Sequence, residues 1–254
     1  MSERISIASI PIDVLTIEQL HSTVHEAIVD KRNTLVVYAN AHLVQLAHYE
    51  QNWLIDFYQN AQIVICDGAG IQVGARLTRQ RVPEKIPYNT WFWSFLSFLR
   101  KNSHSIFLLG GSQEVIDETV VRFKASEPGL RIAGYHNGYF NQAIGSPENS
   151  SIIDTINASA ADVLLVGLGM PKQEMWIRDN RHRVNAPVIM TCGGAFDFFS
   201  GRHPVAPKLM RLAGMEWLFR LMREPSRMMH RYTIGNLRYL WLVFQQSMGI
   251  KIKR

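Results

Sequence analysis

The chain has 254 residues, 47% hydrophobic and 19% charged, with 17 Gly, 10 Pro and two Cys. That composition excludes a disordered, collagen-like or disulfide-scaffold protein, and the length buries roughly 70–75% of its unfolded surface, enough for one large core or two lobes. The net charge of +6 is uneven: residues 200–254 hold 11 of the 27 Lys and Arg but two of the 21 acids, a net of +9, which leaves the preceding 199 residues at −3.

Short apolar, β-branched runs recur at residues 34–39, 62–66, 105–109, 162–166 and 187–191. Such near-continuous hydrophobicity is required of strands buried on both faces of a parallel sheet. The segments between them, such as 113–125 and 171–183, have helical length and periodicity, so the order predicts a Rossmann-like, doubly wound, mainly parallel α/β sheet over residues 1–204. A polar stretch at 141–151 reads as a loop dividing two lobes. After about residue 205 the strand rhythm stops. Residues 206–222 and 226–248 read as helices separated at Pro225, a basic C-terminal appendage over 205–254.

Cys66 and Cys192 both lie in apolar runs, which fits a reduced, cytosolic protein. The first residues lack the apolar core of a signal peptide, and no uncharged apolar stretch reaches the ~18 residues of a spanning helix. The protein is expected to be soluble or attached to a surface, and the basic tail points to an anionic partner. Its arginines Arg220, Arg223, Arg227 and Arg231 would form one stripe, either a solvated face or an anion site. Trp217, Trp241, Tyr232 and Tyr239 are interleaved with them. Deletion from about Arg202 is expected to leave a soluble α/β body.

Ligands of open α/β sheets bind beyond the carboxyl ends of the strands, so the residues after each run carry the candidate chemistry. Asn40 and Asp67-Gly68 follow the first two. A carboxylate at Asp67 can serve as a general base or can cap the next helix. Gly110-Gly111-Ser112 suits either phosphate approach or a tight turn, but it lacks the spacing of a dinucleotide fingerprint or a P-loop. Gly167-Leu168-Gly169 precedes Pro171-Lys172-Gln173-Glu174, where Lys172 and Gln173 would point from a helix N-terminus toward the cleft or lie solvated. Gly193-Gly194-Ala195-Phe196-Asp197 offers Asp197 for a ribose or sugar hydroxyl, or for holding a loop. No Asp-x-Asp pair occurs, and neither a metal nor a cofactor is expected.

Together these segments resemble the WecG/TagA/CpsF family of bacterial glycosyltransferases. The motifs are Val37-Tyr38-Ala39-Asn40, the 61–68 run ending Cys66-Asp67-Gly68, and Phe107-Leu108-Leu109-Gly110-Gly111. Gly134-Tyr135-His136-Asn137-Gly138-Tyr139-Phe140, the 166–174 block and Gly193-Gly194-Ala195-Phe196-Asp197 come next. Glu216-Trp217-Leu218-Phe219-Arg220-Leu221 and Glu224-Pro225-Ser226-Arg227 close the set. The resemblance implies metal-independent, inverting transfer of a sugar from a UDP-sugar to a polyprenyl-diphosphate-linked saccharide, in exopolysaccharide or other surface-polymer synthesis at the inner face of the cell membrane. It implies an appendage that closes over the site and favours contact with an anionic membrane surface.

By the same resemblance Asp67 matches the family's base and Gln173 its amide, while Arg220, Arg223 and Arg227 match the appendage arginines. Where the family usually has Arg after Pro83-Glu84, this chain has Lys85, which keeps the charge without the bidentate fork. The expected site is thus Asp67 and Lys85 for catalysis. Asn40, Gly68, Gly110, Gly111, Gly169, Lys172, Gln173, Asp197, Arg220, Arg223 and Arg227 are expected for binding. A homo-oligomer is compatible with the sequence; nucleic acid is not an expected partner. Two other readings compete: a non-catalytic nucleotide-binding scaffold subunit, and a nicotinamide-dependent oxidoreductase, which the missing G-x-G-x-x-G disfavours.

Overall fold

An antiparallel hairpin comes first: β1 (Glu3–Ile7) and β2 (Ile10–Val14), with Glu3 opposite Val14 and Ile7 opposite Ile10. The five apolar runs then form β3 (Thr34–Ala39), β4 (Ile63–Cys66), β5 (Ser105–Gly110), β7 (Val163–Gly167) and β8 (Val188–Thr191), joined by β6 (Arg131–His136). These six make one parallel sheet in the order β4-β3-β8-β7-β5-β6. This is a computed structural model that describes residues 3–212, 214–225, 229 and 233–252.

Strand alternation separates two cores. Val37, Val64, Leu109, Val166 and Ile189 face one side, and Val36, Ile65, Leu108, Leu165 and Met190 face the other. Each such fully buried aliphatic side chain contributes about 1.5–3 kcal/mol. The second face is covered by α1 (Ile17–Val29), α5 (Tyr88–Lys101), α6 (Gln113–Ser126) and α9 (Ala195–Phe199). On the first lie the hairpin, α2 (Ala41–Tyr49), α3 (Trp53–Gln59), α4 (Ala69–Leu77), α7 (Pro147–Ala158) and α8 (Lys172–Asn180). The doubly wound expectation therefore holds. The stretch 141–151 is a loop only as far as Ser146, whose hydroxyl accepts from Asn149 N at 3.1 Å while Pro147 takes the first helical position.

The tail departs from its expected form. Residues 206–222 are two short helices, α10 (Lys208–Leu212) and α11 (Glu216–Arg223), because Gly214 at φ +70° breaks the run. Of 226–248, the described helix is α12 (Ile234–Ser247); Arg227, Arg231 and Tyr232 lie outside the described residues. α12 packs onto α2 and α4 and sinks Tyr239, Leu242 and Val243 into the core. Tyr239 donates to the Gly70 carbonyl at 2.8 Å, and a Cβ on Gly74 would lie 2.3 Å from its hydroxyl. Tyr239 is therefore a core residue rather than one of the tail's surface aromatics. Deletion from Arg202 would remove Tyr239, Leu242 and Val243 from the core.

At the far end of α12, Gln246 Nε2 donates to Ser6 O at 2.7 Å and its Oε1 accepts from Ala8 N at 2.7 Å. The hairpin is also held by Asp13, which is 4% exposed, pairs with Arg4 at 2.8 Å and accepts from Val64 N at 2.7 Å.

Candidate active site

Except for Lys85, which lies in the loop between α4 and α5, the sequence-predicted residues before the tail follow the carboxyl ends of strands or open the helices after them. At the β3 and β4 ends, Asp67 N donates to Ala39 O at 2.9 Å, and Gly68 faces the Cβ of Asn40. Gly68, at φ +140°, is the cap position of α4, and no side-chain hydrogen bond caps that helix. The half-buried Asp67 is therefore not the helix cap that the alternative reading required. Asn40, by contrast, does cap: its side chain accepts from Leu43 N at 3.0 Å.

Lys85 reaches the same corner. Its segment is fixed by Ile86 N donating to Cys66 O at 2.8 Å, and its ammonium lies 3.1 Å from Glu216 Oε2 on α11. Burial pushes the Cys66 thiol up to about 12, with the Asp67 charge adding to the rise and Lys85 opposing it. The ring of Tyr38 meets Tyr88 edge-on at 5.6 Å. Burial also holds the Tyr88 phenol well above its ordinary value, so it stays a neutral donor.

At the β5 and β7 ends the glycines are set by the backbone. Gly110 sits at φ +144°, where a Cβ would lie 2.3 Å from the Gly167 carbonyl oxygen. Gly111 at φ +70° accepts from Gly138 N at 2.8 Å, and Ser112 caps α6. Gly169, at φ +78°, has open space where a Cβ would stand. Lys172 is exposed.

Gln173 is not aimed into an open cleft. It is fully buried, accepts from Gly193 N at 2.9 Å and donates to Glu174 Oε1 at 2.8 Å. Glu174 is buried as well and takes a 3.3 Å bond from the Tyr58 hydroxyl, which also donates to Tyr38 O at 3.0 Å. Burial raises the Glu174 carboxyl to about 7, against the hydrogen bonds that favour its charge. This network pins the glycine loop after β8 to α8. Asp197, half-buried on α9, lies beside that loop.

From the tail, α11 is brought to the strand ends. A Cβ on Gly214 would stand 3.3 Å from the Ala69 Cβ, and the Arg220 guanidinium lies 4.9 Å over the Phe198 ring. His203 Nδ1 is 3.1 Å from Glu224 Oε1. The exposed Arg223 stacks on Phe219 of its own helix, at 5.7 Å. Glu216, Glu174 and Glu224 were not among the expected site residues. Glu216 and Glu224 are the two acids of the basic tail, and both contact basic side chains of the body.

His21 and His25 have the four-residue spacing of a helical ligand pair, but His21 stacks on Phe98 and His25 bonds His104 at 2.9 Å. Among the described residues no group of three or more His, Cys, Asp or Glu could hold a metal ion. A cavity of about 380 Å³ between α3 and α8, lined by Trp53, Phe57, Arg178 and Arg181, opens by Leu35 near the start of β3, away from these strand ends.

Residues 5–253 match the model of the glycosyl transferase WecG/TagA/CpsF family. The chain is similar to N-acetylglucosaminyldiphosphoundecaprenol N-acetyl-beta-D-mannosaminyltransferases of Bacillus spizizenii (33% identical, covering 66% of this chain and 63% of the relative) and Bacillus subtilis (31%, covering 68% and 65%). It is similar to that of Staphylococcus aureus at 27% identity, covering 77% of this chain and 74% of the relative. The chain thus spans just under two thirds of the length of the two Bacillus relatives. A parallel sheet with its glycine turns, Asp67 and Lys85 at the strand ends, and a family match over nearly every residue lead to one conclusion: this chain belongs to the WecG/TagA/CpsF family of glycosyl transferases.

Proposed function

We propose that the chain transfers a sugar from a UDP-sugar to a polyprenyl-diphosphate-linked saccharide with inversion. UDP-N-acetylmannosamine and an N-acetylglucosaminyl-diphosphate lipid are the first pair to test, from the names of the relatives. Asp67 takes the proton of the acceptor hydroxyl as that oxygen bonds to C1 of the donor sugar. The bond from C1 to the diphosphate oxygen breaks, and UDP leaves with the electron pair. Lys85 and Arg220, with Arg223 and Arg227, offset the charge that develops on the leaving diphosphate. Asn40, Gly68, Gly110, Gly111, Gly169, Lys172 and Asp197 line the donor and acceptor, while Gln173 acts by fixing the Gly193 loop.

The observation that carries this reading is the half-buried Asp67 at the end of β4, left out of the helix cap and set in the corner that Lys85 reaches. Asp67→Asn is expected to lower kcat by about 10²–10⁴-fold with little change in UDP affinity. Normal turnover by that variant would place the base elsewhere.

For the acceptor, the reading adds an anionic membrane surface. Among the described residues no helix is long and apolar enough to cross a membrane. The outward face of α12 nonetheless exposes Ile234, Leu237, Trp241 and Phe244 at helical spacing, with Met248 just beyond, in a tail of net +9. Aromatic and basic side chains together favour the headgroup level of a bilayer.

A further inference from the structure

We propose that Glu216 is a positioning residue for the transfer: its ion pair holds the Lys85 ammonium at the strand ends and sets α11 over them. The inference rests on the assignment of Lys85 to the diphosphate. Three observations carry it.

First, α11 has eight residues and no buried side chain, so neither helix propensity nor an apolar core fixes its place. Among the described residues, Lys85–Glu216 is the better sheltered of the ion pairs at this helix, at 20% and 19% side-chain exposure. Glu216 stands in the first turn, where a carboxylate also complements the helix N-terminus.

Second, the pair is a poor brace by itself. Oε2 engages the ammonium, while Oε1 is buried with no hydrogen-bond partner among the described residues. A partly buried pair with an orphaned oxygen returns little net stability, so its value lies in geometry.

Third, a lysine needs such help. Its ammonium is a compact charge on a four-carbon stem, without the planar fork by which an arginine orients itself on a phosphate. The backbone fixes only the root of this side chain, through Ile86 N on Cys66 O, and the Glu216 carboxylate fixes the tip. With UDP bound, the ammonium is already aimed and bridges the carboxylate and the diphosphate.

The test is a double-mutant cycle on UDP affinity, measured by calorimetry at low salt on full-length wild type, Lys85→Gln, Glu216→Gln and the double variant. UDP binding makes the result independent of the donor sugar. Lys85→Gln is expected to weaken UDP about tenfold or more, and Glu216→Gln by a smaller, clear factor. The double variant should match Lys85→Gln alone, because Glu216 acts only through Lys85. Glu216→Asp, which keeps the charge, should recover part of the affinity, a rescue that a generic packing role would not show.

Losses that multiply in the double variant would make Glu216 an independent brace and overturn the proposal. Tighter UDP binding by Glu216→Gln would make the carboxylate a competitor and overturn it too. If Lys85→Gln alone binds UDP normally, the diphosphate assignment fails and the inference falls with it. If Lys85→Gln weakens UDP and Glu216→Gln does not, only the inference fails.

Discussion

Glu174 provides a pH-dependent test of the buried network. Its carboxyl is fully buried and raised by that burial from 4.5 to about 7. Between those values the folded protein holds a proton that the unfolded chain has released, so stability falls as pH rises through this window and levels off above it. The whole loss is about 3 kcal/mol, from roughly 1.4 kcal/mol for each pH unit of the window. Glu174→Gln is neutral throughout, keeps an oxygen to accept from Gln173 and Tyr58, and places an N–H where the protonated acid has its O–H. The variant should match wild type to within about 1 kcal/mol near pH 4.5. By pH 8 it should be the more stable by about 3 kcal/mol, or roughly 6–12 °C in Tm for a chain of this size. Urea unfolding of both proteins at unit steps from pH 4 to pH 8 reads this directly, since the histidines titrate alike in both and cancel in the difference. Parallel stability curves would mean that Glu174 stays ionised in the fold and that the argument from burial is wrong.

Chelation with EDTA is expected to leave transfer largely intact, because cationic side chains are assigned to the diphosphate; loss that magnesium or manganese restores would overturn the metal-free reading. Gly74→Ala puts a methyl 2.3 Å from the Tyr239 hydroxyl and should cost about 1–3 kcal/mol in a denaturant titration. Adding Tyr239→Phe removes the clashing oxygen and should recover part of that loss; strictly additive losses would show that α12 does not seat there. Intact protein should co-sediment with anionic liposomes more weakly as salt rises, and replacing Leu237 and Trp241 together with Ser should abolish binding without changing Tm. Unchanged binding by that variant would exclude the outer face of α12 as the contact.

The parallel sheet was legible because strands buried on both faces must be apolar throughout, and the glycine, Asn40 or Asp67 that follows the runs marks the ligand side. The hairpin was not. Its turn uses Ala8 and Ser9 at φ 45° and 67°, a conformation usually signalled by Gly or Asn, and Pro11 stands within the second strand, where proline is not expected. Glu174 carried a signal that went unread: Gln173, Trp176, Ile177 and Asn180 fall at i, i+3, i+4 and i+7, so the start of α8 lies against the core. The seat of α12 was not legible, because its apolar residues cover more than one face; one side packs on glycines 70 and 74, and only a fold could say which. The Lys85–Glu216 pair had no local trace at all. Opposite charges 131 positions apart obey no periodicity.

The clasp between Gln246 and the hairpin turn bears on how the chain is made. Ser6 and Ala8 are made before their partner, which comes some 240 positions later. At ordinary translation speeds of about 5–20 residues per second, that interval is on the order of ten to fifty seconds. Once made, the glycine-lined flank of α4 and the neighbouring face of α2 have no cover for most of it, since Tyr239, Leu242 and Val243 have not yet been synthesised. A nascent chain in that condition shows its apolar layer to solvent and is a natural client for chaperones. α12 works as a fastener, closing an early-made part of the fold with one made much later.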